Sequence, residues 1–242
     1  MIDATTLDGQ FMRQKDFMDR KAWDDVVAHI VGAGGIGSVA ALSLAKVGAS
    51  EFILYDDDVV ERHNVANQML SAGEGSMGIY KVADLGGIIK DFGGDHIAVT
   101  PVARRVGENF PLQIEHGKRN VVICGPDNME ARKQIWGEVK GDPAVIGWVE
   151  GRMAARAFRV YAVDPCGPED KIVRYDETLY STDEAENLPC SDRAVFHTNL
   201  ILAGVITEMV RRFVYEVDGF KTPEPVFETM FDLASLNIMS RY

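Results

Sequence analysis

Residues Val26–Gln68 read VVAHIVGAGGIGSVAALSLAKVGASEFILYDDDVVERHNVANQ. An apolar, β-branched run (Val26, Val27, Ile30, Val31) leads into the glycines Gly32, Gly34, Gly35 and Gly37, and Ser38–Val47 continues with good helix formers. The order predicts strand, glycine turn and helix. A second apolar run, Phe52–Tyr55, ends on Asp56, about 20 residues beyond the glycines, where an acid accepts ribose hydroxyls. Residues without side chains let backbone N–H groups approach a phosphate, and a helix N-terminus favours its negative charge. The stretch predicts a nucleotide site on an α/β sheet.

The residues after Asp56 separate the nucleotide classes. The chain continues Asp56-Asp57-Asp58-Val59-Val60 and then Asn64-Val65-Ala66-Asn67-Gln68, whereas an NAD-dependent oxidoreductase requires little beyond the first acid. This pattern resembles the ThiF/MoeB/HesA superfamily of adenylating proteins, which includes the catalytic core of ubiquitin-activating enzymes. The GxGGxG and DxDxVxxxNxxRQ patterns of that superfamily are matched by Gly32, Gly34, Gly35, Gly37, Asp56, Asp58, Val60, Asn64 and Gln68. One position departs: the arginine before the glutamine is Asn67, which removes a charge from the phosphates. Arg62 is either its substitute or a solvent-facing loop residue.

The resemblance implies a doubly wound, mostly parallel sheet, ATP and Mg2+ as cofactors, and adenylation of the C-terminal carboxylate of a small ubiquitin-like protein. It also implies roles for particular residues. Lys81, in Gly78-Ile79-Tyr80-Lys81-Val82, falls on a GxxKV sequence whose lysine lies on the phosphates. Asp127-Asn128 falls on an xxDN sequence whose aspartate coordinates magnesium, and Phe11-Met12-Arg13-Gln14 is similar to an N-terminal sequence whose arginine reaches into the partner subunit of a homodimer. Cys190 falls in the crossover region where ubiquitin-activating relatives carry a thioester-forming cysteine, which brings in a conjugating enzyme as a further partner.

The residues support these roles while leaving plainer ones open. Cys190 precedes the helix predicted at Ala194–Tyr215 and stands near Arg193, and both features lower a thiol pKa. It also fits a small buried residue anchoring a loop, with Cys166 as the second candidate nucleophile. Asp127 follows the central-strand run Asn120–Cys124 and fits a helix N-cap as well as a metal ligand. Lys81 near a helix start opposes the helix dipole. His29 reads as a structural residue inside the first strand.

Composition bounds the rest. The 242 residues are 46% hydrophobic and 26% charged, ordinary for a globular protein, with a formal net charge of -12. That charge disfavours nucleic acid as a partner. No apolar run approaches the roughly 18 residues of a membrane span, and Met1–Gln10 carries no signal-peptide pattern, so a cytoplasmic protein is expected. Three cysteines without a CxxC pair predict neither a disulfide framework nor a structural zinc.

The expected organisation is an amphipathic N-terminal segment (1–21), an adenylation domain (22–220) and a C-terminal tail (221–242) ending as an edge strand. Helical spacing is read for Phe11, Met12, Phe17, Met18 and Trp23. A short helix or turn is read at 109–118, a hairpin of strands 143–150 and 155–163 turning around Gly151-Arg152, and a crossover loop without regular structure at 164–193. Two other readings share the glycine turn: a catalytically silent binding module and an NAD-dependent oxidoreductase. Asp58, Asn64 to Gln68, Lys81 and Asp127 are superfluous to hydride transfer.

Overall fold

The computed structural model describes residues 6–107, 109–154, 156–180, 195–217 and 223–242. The strands β1 (Val26–Val31), β2 (Glu51–Tyr55), β3 (Ala98–Val102), β4 (Arg119–Cys124), β5 (Val145–Ala154), β6 (Ala157–Val163), β7 (Glu228–Asp232) and β8 (Asn237–Arg241) form one sheet in the order β3-β2-β1-β4-β5-β6-β7-β8. The first five are parallel and the last three antiparallel. The chain leaves β1 in one direction and returns through β4 in the other. The carboxyl ends of these two neighbours therefore flank the switch point where α/β sheets open a crevice.

Strand periodicity divides the core between the two faces. Val26, Ala28 and Ile30 face α2 (Gly35–Lys46), α4 (Lys81–Gly93) and α7 (Phe196–Val217), while Val27 and Val31 face α5 (Met129–Val139) and α6 (Glu169–Asp176). On the second face His29 is buried. Its Nε2 donates to Asn120 Oδ1 at 2.9 Å, and the Tyr55 hydroxyl stands 3.1 Å from Nδ1. Burial pushes its pKa down, so the ring stays neutral and structural, as its place in the first strand suggested.

Three local readings change. The N-terminal segment is not one helix: it makes the single turn α1 (Leu7–Gln10) and a 3₁₀ turn at Arg20–Trp23. The side chains of Thr6 and Asp19 accept from Gly9 N and Lys21 N, so each starts its own short turn. Phe11 and Trp23 are buried while Phe17 and Met12 are exposed. β5 continues through Gly151-Arg152 to Ala154, which pairs with Ala157, because Glu150 and Arg152 find partners within the fold. The region read as an irregular crossover contains α6, anchored by the buried Tyr175. The tail ends as the expected edge strand, β8, paired with β7 in a hairpin, and residues 109–118 make bridges and turns, within the short helix or turn read there.

Candidate functional site

The glycine turn is fixed by contacts that leave little room for any other residue. Gly32 has φ +91°, donates to Tyr55 O at 2.8 Å, and a Cβ there would come within 3.3 Å of the Gly125 carbonyl. A Cβ on Gly37 would lie 1.9 Å from Gly32 O, so only glycine lets α2 sit on its own turn. Gly34 differs. Nothing lies within 4 Å of its missing Cβ, which leaves open space beside the first turn of α2, where the amides lack intrahelical partners. That cradle and those amides suit a phosphate.

Asp56, at the end of β2, holds the turn from below. Its Oδ2 accepts from Ala33 N at 2.7 Å and its Oδ1 from Asp58 N at 2.9 Å. Burial nevertheless pushes its pKa above the ordinary aspartate value. Asp58 in turn meets Lys81: Nζ is 2.8 Å from Oδ2, and the Lys81 amide donates to Asp58 O at 3.0 Å. The lysine is buried while the Asp58 side chain stays largely open to solvent. Asn64 is also buried, and its Oδ1 accepts from Glu61 N at 2.9 Å, capping the single turn α3 (Arg62–Val65) and so shaping the loop between them.

Asp127 follows β4 on the same edge. The helix cap there is Asn128, whose Oδ1 accepts from Ala131 N at 2.8 Å. Asp127 is therefore not the cap: it is exposed, and among the described residues its carboxylate has one contact, 3.4 Å from Asn128 Nδ2. It keeps oxygen lone pairs for a hard cation. The carboxylates of Asp56, Asp57 and Asp58 also bring oxygens within 4.8 Å of one another, although Lys81 already occupies Asp58 and Arg105 pairs with Asp57.

Beneath Asp127 lies a buried ionic cluster that sequence reasoning missed. Glu150 is fully buried, with Arg152 Nε at 2.6 Å, Arg132 Nε at 3.0 Å in an ion pair without hydrogen-bond alignment, and the Tyr175 hydroxyl donating at 2.5 Å. Arg132 Nη2 donates to Pro126 O at 2.7 Å, and Arg152 donates to Thr178 O and Oγ1, both at 2.9 Å. The cluster ties the Asp127 loop to α6. The only signal was Glu150 closing an apolar strand, which by itself reads as a surface residue.

Gln14 Nε2 donates to Lys46 O at the last residue of α2, so neighbouring Arg13, which is exposed, sits about 17 Å along that helix from the glycine turn by its rise per residue. It does not reach its own chain's crevice. Cys166 is at the wrong edge of the sheet: Pro165 O accepts from Gly141 N, before β5 begins, and burial with Asp164 and Asp142 nearby raises its thiol pKa. Arg62 is exposed and paired with Glu74, which settles it as a solvent-facing loop residue. Cys190 lies outside the described residues.

Asn67 lies against the glycine turn through a residue the sequence did not flag. Asn199, in the first turn of α7, donates from Nδ2 to Asn67 O at 2.7 Å. Among the described residues no helix is long and apolar enough to cross a membrane.

Residues 10–223 match the ThiF family. The chain is 34% identical over 103 residues to the SAMP-activating enzyme E1 of Haloferax volcanii, covering 43% of this chain and 37% of that protein. It is 30% identical over 124 residues to the molybdopterin-synthase adenylyltransferase of Salmonella typhimurium, covering 51% and 49%. The match thus spans half or less of these relatives. Among solved structures, selenomethionine PaaA superposes with a TM-score of 0.69 at 16% identity, covering 100% of this chain and 85% of that one. Escherichia coli MccB, solved with AMPCPP and MccA, superposes with a TM-score of 0.66 at 15% identity, covering 92% and 65%. Both likenesses bear out the doubly wound fold.

Proposed function

We propose that this chain, which belongs to the ThiF family, uses ATP to adenylate the C-terminal carboxylate of a small ubiquitin-like protein. The observation that carries the reading is the convergence of an open glycine cradle at Gly34, the Asp58–Lys81 pair and the freely exposed Asp127 on one edge of the sheet. The names of the curated relatives, an E1 and an adenylyltransferase, support the reaction class.

In this reading Gly32, Gly34, Gly35 and Gly37 shape the turn whose amides hold phosphate oxygens, and Asp56 holds both the turn and the ribose. Asn64 and Gln68 line the loop beside it. Lys81, released from or shared with Asp58, faces the charge that builds on the leaving pyrophosphate. Asp127 holds Mg2+, which supplies further charge neutralisation when bound. A carboxylate oxygen of the substrate forms a bond to the α-phosphorus as the bond to pyrophosphate breaks. Cys190 then takes the acyl group as a thioester, releasing AMP, and a conjugating enzyme accepts it. The chain pairs with a second copy, to whose site Arg13 contributes.

The test is calorimetric titration with Mg-ATP and with NADH, followed by pyrophosphate exchange in the presence of a small protein ending in glycine. ATP binding that weakens at least about tenfold in Asp127→Ala, the loss of about 1.4 kcal/mol, supports the proposal. Preference for NADH, or ATP binding untouched by both Asp127→Ala and Lys81→Ala, overturns it in favour of an oxidoreductase or a silent binding module.

A further inference from the structure

Three carboxamide oxygens are buried without a donor around the glycine turn: Asn199 Oδ1, Asn67 Oδ1 and Gln68 Oε1. The orientation of Asn199 is fixed, because turning its carboxamide over would set Oδ1 against Asn67 O, which Nδ2 now meets at 2.7 Å. The side chain has 0% exposure, and a Cβ on Gly35 would come within 2.8 Å of Nδ2 and 3.4 Å of Asn67 O. Asn199 is thus wedged between the first residue of α2 and the loop that runs from Asn64 to Gln68.

The nitrogen ends of the Asn67 and Gln68 carboxamides are unpaired as well. Asn67 Nδ2 and Gln68 Nε2 are not among the buried unpaired atoms and take no hydrogen bond in the described residues, so each keeps a free donor. A loop that buries two acceptors at a cost and keeps two donors free has hydrogen bonds to give to an acceptor-rich ligand. The nearby cation, Lys81, is already paired with Asp58. Beside that shared lysine, the site offers an anion the neutral N–H groups of the turn backbone and of these two carboxamides.

Resting on the adenylating reading, we infer that Asn199 is a positioning residue for nucleotide phosphates: it locks Asn67 and Gln68 against the glycine turn so that their amide nitrogens meet the phosphate oxygens. Asn67 is then a working neutral donor rather than a gap left by a missing charge. Asn199 touches no phosphate and acts through the loop.

The experiment compares wild type, Asn199→Ala, Gly35→Ala and the double variant in calorimetric titrations with a non-hydrolysable methylene ATP analogue and with adenosine, alongside thermal unfolding of each free protein. Asn199→Ala and Gly35→Ala should each weaken the analogue about tenfold, leave adenosine affinity unchanged, and combine to no more than either alone, since both undo one contact. Equal losses for adenosine and the analogue, fully additive losses, or no loss would each overturn the inference. If Asn199→Ala fails to fold, Asn199→Ser, which stays polar but is too short to hold Asn67 O, carries the same comparison. If wild type does not bind the analogue at all, it is the adenylating reading that fails.

Discussion

The two edges of the parallel sheet are built differently. At the amino-terminal edge Arg119 is saturated: it donates to Asp25, to Val214 O at 2.9 Å and to Ala22 O at 2.6 Å, tying β4 to the segment before β1 and to α7. At the carboxyl-terminal edge groups are left wanting. Asp56 is held above its ordinary pKa, three carboxamide oxygens lack donors, and Gly34 opens onto space. The amino-terminal edge is not free of unpaired groups, since Arg20 Nε and Trp23 Nε1 are buried there without hydrogen-bond acceptors, but the carboxyl-terminal edge gathers its unpaired oxygens beside the open cradle at Gly34.

The sharpest way to break this contrast is at the foundation of the under-satisfied edge. Glu150→Ala strands the guanidinium groups of Arg132 and Arg152 around a buried void and should cost about 3–5 kcal/mol in denaturant unfolding. A smaller loss would mean that solvent reaches the cluster. At the opposite edge Arg119→Ala removes three sets of hydrogen bonds from a partly exposed side chain, and about 2 kcal/mol is expected, with nucleotide affinity unchanged. If that variant lost ATP binding at intact fold, the division of labour between the edges would be wrong.

Gly34→Ala should separate stability from function most cleanly. With nothing within 4 Å of the added methyl and φ at -79°, unfolding should change by less than about 0.5 kcal/mol. The methyl enters the cradle, however, so Mg-ATP affinity should fall about tenfold or more. Unchanged affinity would show that phosphate does not approach Gly34.

Much of the carboxyl-terminal edge was legible because it is local. Gly32 to Gly37, Asp56, Asp58 and Lys81 are close in sequence or in recognisable spacing, and the alternation in Val26–Val31 sets which side chains face each helix layer. What escaped depends on long-range meetings. Asn199 meets Asn67 across 132 residues, and Glu150 gathers Arg132, Arg152 and Tyr175 from three elements. Neither has a periodic or motif signature, since an asparagine early in an apolar helix and a glutamate closing a strand both read as ordinary polar residues. The N-terminal segment misled for the converse reason. Its apolar residues have helical spacing, but Thr6 and Asp19 each capture a nearby amide and divide it into turns.

The smallest effect concerns the two aspartates that mark the edges. The Arg119 guanidinium, mainly by hydrogen bonding, lowers the pKa of Asp25 below 3.8, so its stabilisation is complete above that value and is lost as pH falls through the lower folded pKa. Asp25 is well exposed, which limits the effect to under about 1 kcal/mol. Asp56 has the reverse sign. Burial raises its folded pKa, the folded state takes up a proton that the unfolded chain still releases, and stability attributable to this group grows as pH falls from neutrality. Unfolding of wild type against Asp25→Asn and against Asp56→Asn, followed from neutral to acid pH, should therefore show the first difference shrinking and the second shifting in favour of wild type. Parallel trends would mean that Asp56 is better solvated than its burial implies, and that the carboxyl-terminal edge stores no electrostatic cost for a nucleotide to relieve.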